Sequence, residues 1–308
     1  MERCVFFLAG ALTPLHVGVG RSPGVVDLPV ARDGFGLPFL PASAVKGSLK
    51  SLCIRGCVDD RQGVECRKCL GAFGWDLRVE DVGDESYASP LVFTDGVLLF
   101  YPVRVEAREG DSVVTRFAYA TSVMQLAQVA GILEACAVAH GDVGVGELLV
   151  SLRDAREVTG EVEFVNNIPV GGVGMRYLSA ERLGELGELV GGLGRLHRLL
   201  LSGGVYVFED HELFREVVEA GILRQARVRL EPATKTVAEG ALWTEEYTSQ
   251  GAVYAFAVFA RRVGHRRALP PDEAVGYLRR LVGERDGIVV LGGKETIGRG
   301  LLKLVEAR

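Results

Sequence analysis

The sequence predicts an α+β fold, a single domain in which helices cover one face of a β-sheet. Three observations support this class: runs rich in β-branched and aromatic residues occur near both ends, segments of helical period lie between them, and no internal repeat or low-complexity linker divides the 308 residues. A hydrophobic content of 48% with 24% charged residues is that of a globular protein, which excludes a disordered or fibrous chain. We therefore expect one domain with large insertions.

The first half of the chain begins with a strand over residues 4–12, which ends at Thr13-Pro14. A helix is predicted over residues 41–55, because it opens with Pro-Ala-Ser and carries apolar residues at helical spacing. The other elements expected here are a loop over 56–90, strand pairs over 91–105 and a buried, alanine-rich helix over 121–140.

The second half is expected to start irregularly over residues 159–174, followed by a leucine-rich helix over 179–201 that several glycines weaken. Asp210 is a predicted helix N-cap between two short strands. The remaining predicted elements are strands over 205–208, 224–230, 252–262, 287–291 and 301–305, and a helix over 270–283 that begins with Pro-Pro-Asp-Glu.

The net charge of -5 gives the chain no global positive field that would attract a phosphate backbone. Local basic clusters could still bind nucleic acid, although a solvated surface is an equally good interpretation. These clusters comprise Lys46, Lys50 and Arg55, and Arg261, Arg262, Arg266 and Arg267. No apolar run reaches membrane-spanning length and no signal-peptide pattern occurs, so a cytoplasmic protein with reduced thiols is expected.

One glycine-flanked loop carries two residues capable of proton transfer or of holding a metal-bound water, His16 and Asp27. From the local pattern alone, an aspartate before Leu-Pro more often caps a turn, and a lone histidine more often satisfies a core hydrogen bond. The start of the helix at 41–55 is a second candidate, because Ser43 and Lys46 lie beside its unpaired N–H groups and could complete a phosphate site. An ordinary surface helix remains the alternative.

Four of the six cysteines are grouped within a short stretch: Cys53, Cys57, Cys66 and Cys69. Four thiolates can converge tetrahedrally on one Zn²⁺ and leave no open position for a catalytic water, so a structural zinc site is predicted. The other two, Cys4 and Cys136, lie in apolar elements and are expected in the core. A last candidate is the glycine-rich tail over 291–300, where Lys294 and Arg299 could face a phosphate, although a plain hairpin connection is the alternative.

Taken in order, these segments resemble the RAMP superfamily of CRISPR effector proteins, and most closely the backbone subunit of the type III-B (Cmr) complex. The resemblance spans nearly the whole chain. It is carried by His16-Val17-Gly18 with Val26-Asp27-Leu28-Pro29, Leu37-Pro38-Phe39-Leu40-Pro41 before Lys46-Gly47, Phe73-Gly74 after the cysteines, 98–104 with 117–122, 234–237 with 240–247, and the glycine-rich tail.

The resemblance implies a single RAMP domain over 1–308 with a ferredoxin-like (RRM-like) palm, inserted fingers with a zinc loop, and a thumb hairpin. The insertions are expected at about 53–90, which is cysteine-rich, and at about 160–250, which contains the thumb. Such subunits stack as a filament along guide RNA (crRNA) and cut complementary target RNA at regular intervals with Mg²⁺ or Mn²⁺, in antiviral defence. Guide crRNA, single-stranded target RNA, the other effector subunits and further copies of the chain are thus the expected partners.

By the same motif match, Asp27 takes the catalytic position with His16 as a nearby helper. The residues implied in RNA binding are Ser43, Lys46, Lys50, Lys294, Arg299 and, in the thumb region, Glu245, Glu246 and Tyr247. The chain departs from the family pattern at Ala42-Ser43-Ala44 and at Thr248-Ser249. Two alternatives stay open: the equivalent subunit of the type III-A (Csm) complex, and an RNA-binding scaffold that does not cut.

Overall fold

The computed structural model describes residues 3–22, 24–55, 57, 63–75, 86–140, 156–157, 162–171 and 174–307. The strands are β1 (Arg3–Ala11), β2 (Leu91–Phe93), β3 (Val97–Glu109), β4 (Ser112–Ser122), β5 (Arg156–Glu157), β6 (Val162–Val165), β7 (Ile168–Pro169), β8 (Met175–Leu178), β9 (Val205–Phe208), β10 (Leu223–Leu230), β11 (Val237–Tyr247), β12 (Val253–Ala260), β13 (Ile288–Val290) and β14 (Leu301–Ala307). The helices are α1 (Ala42–Ile54), α2 (Val64–Phe73), α3 (Val123–His140), α4 (Gly184–Gly192), α5 (Arg195–Ser202), α6 (His211–Ala220) and α7 (Pro271–Gly283).

The large sheet is centred on β1, which pairs antiparallel with β12 on one side and with β14 on the other. Its main strand order is β13-β14-β1-β12-β3-β4-β9-β8-β5. Most pairings are antiparallel, and β4 pairs with β9 in parallel. Every residue of β1 after Arg3 is buried, as expected for a central strand that is covered on both faces.

Helices cover both faces of this sheet, so the prediction of helices on one face only is wrong for the chain as a whole. Alternate β1 residues define the faces: Phe7 points to the core that contains parts of α1, α2, α6 and α7. Phe6 and Leu8 point to the second core, which contains parts of α3, α4 and α5. The difference arises because α3, α4 and α5, which lie in the chain between β3 and β12, cover the face that α1 and α7 leave open.

Several boundaries are as predicted from the sequence. Asp210 caps α6, and its Oδ1 accepts hydrogen bonds from the N–H groups of Glu212 (2.9 Å) and Leu213 (3.1 Å). The helix over 41–55 is α1, with Pro41 as N-cap, and the proline-initiated helix near 270 is α7. The long apolar helix is α3, which buries one face through Leu126 and Val129 and exposes other positions, such as Val138.

Three segments differ from the sequence-based expectation. The loop expected over 56–90 contains α2, while residues 56, 58–62 and 76–85 lie outside the described part of the chain. The irregular stretch over 159–174 contains the β6–β7 hairpin, with 159–161 and 172–173 outside that part. The leucine-rich helix is divided into α4 and α5 because Gly194 adopts φ 141°, a conformation that favours glycine and ends the helical run.

The β10–β11 hairpin forms a separate two-stranded sheet that leaves the large sheet. Its alternation places Arg224, Ala226 and Val228 opposite Glu246, Thr244 and Leu242 on one face. The other face carries the pairs Leu223–Tyr247, Gln225–Glu245 and Arg227–Trp243. Among the described residues, no helix is both long and apolar enough to cross a membrane.

Candidate functional site

The loop that carries Asp27 is attached to the base of the β10–β11 hairpin by backbone hydrogen bonds. The N–H of Leu28 donates to the carbonyl of Thr244 at 3.1 Å, and the N–H of Glu246 donates to the carbonyl of Leu28 at 3.0 Å. Leu28 thereby forms a parallel β-bridge with Glu245. The loop is in effect a short extra strand along β11, so the position of Asp27 depends on that strand.

Asp27 is half-buried, and its carboxylate is bound to Thr244. Asp27 Oδ2 accepts a hydrogen bond from the N–H of Thr244 at 2.7 Å and another from the Thr244 hydroxyl at 3.0 Å. The same hydroxyl accepts from the N–H of Asp27 at 3.1 Å. The Thr244 N–H, followed by its hydroxyl, lowers the pKa of Asp27 below its ordinary value, so the group is ionised at neutral pH.

His16 is buried and is oriented by the same strand. Its Nδ1 lies 2.8 Å from the carbonyl oxygen of Glu246, and because a carbonyl only accepts, Nδ1 must carry the proton. The ring lies 5.6 Å from the ring of Tyr247, and the His16 carbonyl accepts from the N–H of Gly293 at 2.9 Å. His16 and Asp27 are thus both held by β11, at backbone positions two residues apart.

Glu245 is buried among several donors at the base of the hairpin. Its Oε1 lies 2.5 Å from Lys294 Nζ and accepts from the Trp243 indole N–H at 2.6 Å. Its Oε2 accepts from the Tyr247 hydroxyl and from Arg227 Nε at 3.3 Å. Burial alone would raise the pKa of Glu245, but the hydrogen bonds from Lys294, Trp243 and Tyr247 outweigh it and lower the pKa to about 2.

Glu246 is also buried, and it faces the opposite side of β11. Its Oε2 accepts from the Arg32 guanidinium at 3.0 Å and from the N–H of Val30 at 3.3 Å, and its Oε1 lies 3.3 Å from Arg224 Nε. Both arginines also pair with Glu219. This network fixes the chain that follows the Asp27 loop.

Tyr247 and Arg299 complete the cluster. The Tyr247 hydroxyl accepts from the Arg227 guanidinium at 3.2 Å, and the Arg299 guanidinium lies 4.6 Å from the centre of the Tyr247 ring. Arg299 also donates to the side chain of Gln225 at 3.2 Å. The structure therefore brings seven of the predicted site residues together at one place: His16, Asp27, Glu245, Glu246, Tyr247, Lys294 and Arg299.

The other predicted RNA-binding residues lie on α1. Ser43 is exposed in its first turn, and the N–H of the preceding Ala42 donates to Asp95 at 2.7 Å. Burial and the neighbouring charge of Lys50 lower the pKa of Lys46, while Lys50 Nζ donates to the carbonyl of Gly74 at 3.0 Å. Asp95 occupies part of the helix N-terminus, so a phosphate there would have only the remaining N–H groups.

The four grouped cysteines come together between α1 and α2 in two disulfide pairs, Cys53–Cys69 and Cys57–Cys66. The Cα–Cα distances are 5.7 Å and 4.8 Å. Over the described ranges, no group of three or more metal-ligating side chains is arranged around a common point. The four cysteines are close together in space, as the zinc prediction requires. Zinc binding itself stays a prediction, because it needs these sulfurs as thiolates.

The two remaining cysteines are buried, as expected for core residues. They also form a disulfide, Cys4–Cys136, which joins β1 to α3 across 132 residues of sequence. Nothing in the sequence indicated this bond, because the two cysteines are far apart and the expected compartment is reducing.

Sequence reasoning missed the residues that hold the site together, namely Thr244, Arg32, Arg224 and Arg227. Thr244 lies within the 240–247 segment that carries the family resemblance, and this was the one sequence signal that pointed to it. The arginines pair with glutamates more than a hundred residues away or across the hairpin, and no local pattern reveals such contacts. An open cleft of about 370 Å³ lies beside the Asp27 loop, between Val25 and Arg32.

A family model described as "RAMPs: RAMP superfamily" matches residues 10–303. The chain belongs to the RAMP superfamily. Two curated members of the same kind match almost end to end: the CRISPR system CMR subunit Cmr4 of Saccharolobus solfataricus is 26% identical over 97% of this chain and 94% of its own. The CRISPR system Cmr endoribonuclease Cmr4 of Pyrococcus furiosus is 27% identical over 95% of this chain and 92% of its own. These relatives confirm the resemblance predicted from the ordered motifs.

The fold also occurs in a chain of a solved complex. The cryo-EM structure of the type III-B Cmr-beta complex bound to cognate target RNA contains a chain with a TM-score of 0.72 and 21% identity. The match covers 99% of this chain and 97% of that one. The overall fold is thus shared over nearly the full length of both chains.

Proposed function

We propose that this chain is the backbone subunit of a type III-B CRISPR effector complex. In this role it binds guide crRNA in a helical filament of copies and cleaves complementary target RNA at regular intervals as an endoribonuclease, in antiviral defence in the cytoplasm. The observation that carries the proposal is the position of Asp27. An ionised, half-buried carboxylate lies at the base of a projecting hairpin, in a chain matched over nearly its whole length by Cmr4 relatives.

Cleavage would proceed through attack of the neighbouring 2′-hydroxyl on the scissile phosphorus. The 2′-oxygen–phosphorus bond forms while the phosphorus–5′-oxygen bond breaks. The 2′-hydroxyl loses its proton and the departing 5′-oxygen gains one, which gives a 2′,3′-cyclic phosphate and a 5′-hydroxyl. The reaction needs an in-line sugar conformation, and a nucleotide displaced from the A-form duplex can adopt it. The hairpin next to Asp27 supports such a displacement, and the cleft of about 370 Å³ beside the loop is large enough for a small ligand group.

The lowered pKa of Asp27 favours an electrostatic or metal-binding role over a general base. A general base works best with a pKa near the working pH, and Asp27 lies well below it. His16 is the better candidate for moving a proton, since hydrogen bonding of Nδ1 leaves Nε2 as its accepting nitrogen.

The residues present fit a divalent ion only if RNA supplies further ligands. In the described part of the chain Asp27 Oδ1 receives no hydrogen bond, and no group of three or more metal-ligating side chains includes Asp27. Mg²⁺ commonly takes one or two carboxylates together with substrate phosphates and water, which agrees with a site that Asp27 shares with the RNA backbone. The ion would supply positive charge to the phosphate.

Three finer assignments belong to the same proposal. The βαββαβ path through β1, α1, β3, β12, α7 and β14, with spatial order β14-β1-β12-β3, supports a ferredoxin-like palm. The β10–β11 hairpin corresponds to the thumb. Ser43, Lys46 and Lys50 would contact guide phosphates, whereas Glu245, Glu246, Tyr247, Lys294 and Arg299 would act mainly by shaping the thumb base, since their side chains are engaged within the protein.

The decisive experiment compares Asp27→Ala with the natural chain in a reconstituted type III-B complex that contains guide RNA and a labelled complementary target. The natural chain should give products at regular spacing, and the variant should bind target normally without cutting it. Asp111→Ala, which changes an exposed aspartate in the β3–β4 turn, is the matched control.

Two outcomes would contradict the proposal in different ways. Cleavage that survives Asp27→Ala removes the catalytic assignment. A natural complex that binds target and does not cut it supports the non-catalytic scaffold instead. Assembly with type III-A subunits, and not with type III-B ones, would favour the equivalent Csm subunit.

A further inference from the structure

We infer that Thr244 is a positioning residue for RNA cleavage, whose hydroxyl sets the orientation of the Asp27 carboxylate. The inference rests on the proposed function and deepens it. Thr244 lies on the thumb strand β11, and its side chain binds Asp27 directly.

The contact between Thr244 and Asp27 is reciprocal. The hydroxyl of Thr244 donates to Asp27 Oδ2 at 3.0 Å and accepts from the N–H of Asp27 at 3.1 Å. One hydroxyl therefore binds both the side chain and the backbone of the aspartate. Together with the Thr244 N–H at 2.7 Å, these bonds direct Oδ2 toward β11 and leave Oδ1 for substrate or ion.

The local sequence makes this contact available. Thr244 faces the same side of the hairpin as Glu246, and its cross-strand neighbour is Ala226, whose side chain is a single methyl group. Glu246 fixes the following part of the loop through Val30 and Arg32. The aspartate is thus held between two anchored points on one strand.

The two backbone hydrogen bonds of Leu28 with residues 244 and 246 attach the loop to β11 without the Thr244 hydroxyl. Valine has nearly the shape of threonine and keeps the N–H at position 244. Thr244→Val should therefore keep the loop attached through Leu28, while it loses one of the two hydrogen bonds to Asp27 Oδ2 and the bond from the Asp27 N–H.

Loss of that bond affects the position of the carboxylate. The carboxylate gains rotational freedom, and small misplacements of a catalytic group reduce rates by roughly tenfold to a hundredfold.

The test uses the reconstituted complex and measures single-turnover cleavage of labelled target RNA together with target affinity. Thr244→Val is expected to slow cleavage about tenfold to a hundredfold at unchanged affinity. Thr244→Ser keeps a hydroxyl and should restore the rate. Thr115→Val makes the same change on an exposed position of β4 and is the control.

Equal cleavage rates for Thr244→Val and the natural chain would overturn the inference, as would equal losses of rate in the valine and serine variants. If the valine variant does not assemble, Thr244→Ala against Thr244→Ser gives the same comparison. Failure of the proposed function would give a different result. Either the natural chain would not cleave the target RNA, or Asp27→Ala would cleave it at the same rate as the natural chain.

Discussion

Lys294 Nζ lies 2.5 Å from Glu245 Oε1, and this pair connects the glycine-rich tail loop to the base of the β10–β11 hairpin. Lys294 adopts the left-handed conformation, φ 70°, which turns the loop and brings the ammonium group over β11. Glu245 is almost fully buried, so the attraction acts with little screening by water.

Removing the charge of Glu245 should destabilise the protein. Glu245→Gln leaves the positive charges of Lys294 and Arg227 without their carboxylate, and breaking a buried pair from one side costs about 3 kcal/mol. Urea unfolding should show this loss. Glu284→Gln breaks the exposed Arg280–Glu284 helix pair and should cost about 0.5 kcal/mol or less.

Acid should weaken the same cluster. The pKa of Glu245 in the folded protein is about 2, below its ordinary value of 4.5. Its stabilising contribution is therefore complete above pH 4.5 and declines as the pH falls toward 2. In Glu245→Gln the free energy of unfolding should depend less steeply on pH in this window. An equally steep dependence in both proteins would contradict the pairing.

His197 should make stability fall at a milder acidity. It is fully buried on α5, and neither ring nitrogen has a hydrogen-bond partner in the described part of the chain. Burial lowers the pKa of His197 to about 4, from 6.5. Between these two pKa values His197 binds a proton in the unfolded chain but not in the folded chain. The contribution of neutral His197 to stability is therefore fully present above pH 6.5 and is lost as the pH falls toward 4.

Between pH 7 and pH 5 this loss amounts to about 2 kcal/mol. Unfolding of His197→Leu, measured at both pH values, should show a smaller difference, because leucine fills similar space and does not titrate. His265→Leu, at a half-buried position, should behave like the natural chain. An unchanged pH dependence in His197→Leu would show that the buried ring is not the responsible group.

The Cys4–Cys136 disulfide should contribute strongly to stability, because it closes a long loop between β1 and α3. Loop-closure entropy gives about 2–5 kcal/mol for such a cross-link. Cys136→Ala should lower the free energy of unfolding by that amount under oxidising conditions. With a strong reductant, the natural chain and the variant should differ much less.

The four cysteines between α1 and α2 give a measurable choice between metal and disulfides. Protein prepared under reducing conditions should contain about one Zn²⁺ per chain, because four thiolates complete a tetrahedral site. Oxidised protein, with Cys53–Cys69 and Cys57–Cys66 formed, should bind none. Metal analysis combined with thiol counting on both samples decides, and reduced protein without zinc would end the zinc proposal.

Periodicity predicted the elements that lie in the main sheet and on its α1/α7 face. Periodicity missed the β6–β7 hairpin. The turn of this hairpin is Asn166-Asn167, in which both residues have positive φ, and this pair is a weaker hairpin signal than Asn-Gly. Periodicity missed α2 because glycine, cysteines and charges dilute its apolar spacing. Coverage of the second face could not be foreseen, since it depends on how the inserted helices return to the sheet.

The sequence identified many residues of the candidate site, but it did not identify the contacts that their side chains make. Ordered motifs selected Asp27, Glu245 and Lys294, and the structure brings all three to β11. The motifs placed Glu245 and Lys294 on RNA, whereas in the structure they bind each other. Such pairing depends on three-dimensional proximity, which one sequence does not contain.

The alternation of Glu245 and Glu246 along β11 has a consequence for how this strand can pair. Each carboxylate meets its own set of cations, Lys294 with Arg227 on one side and Arg32 with Arg224 on the other. A slip by one residue would turn every side chain to the opposite face and break both sets at once. The two adjacent acids therefore favour one register of β11 against the Asp27 loop, because only that register pairs both carboxylates with their cations.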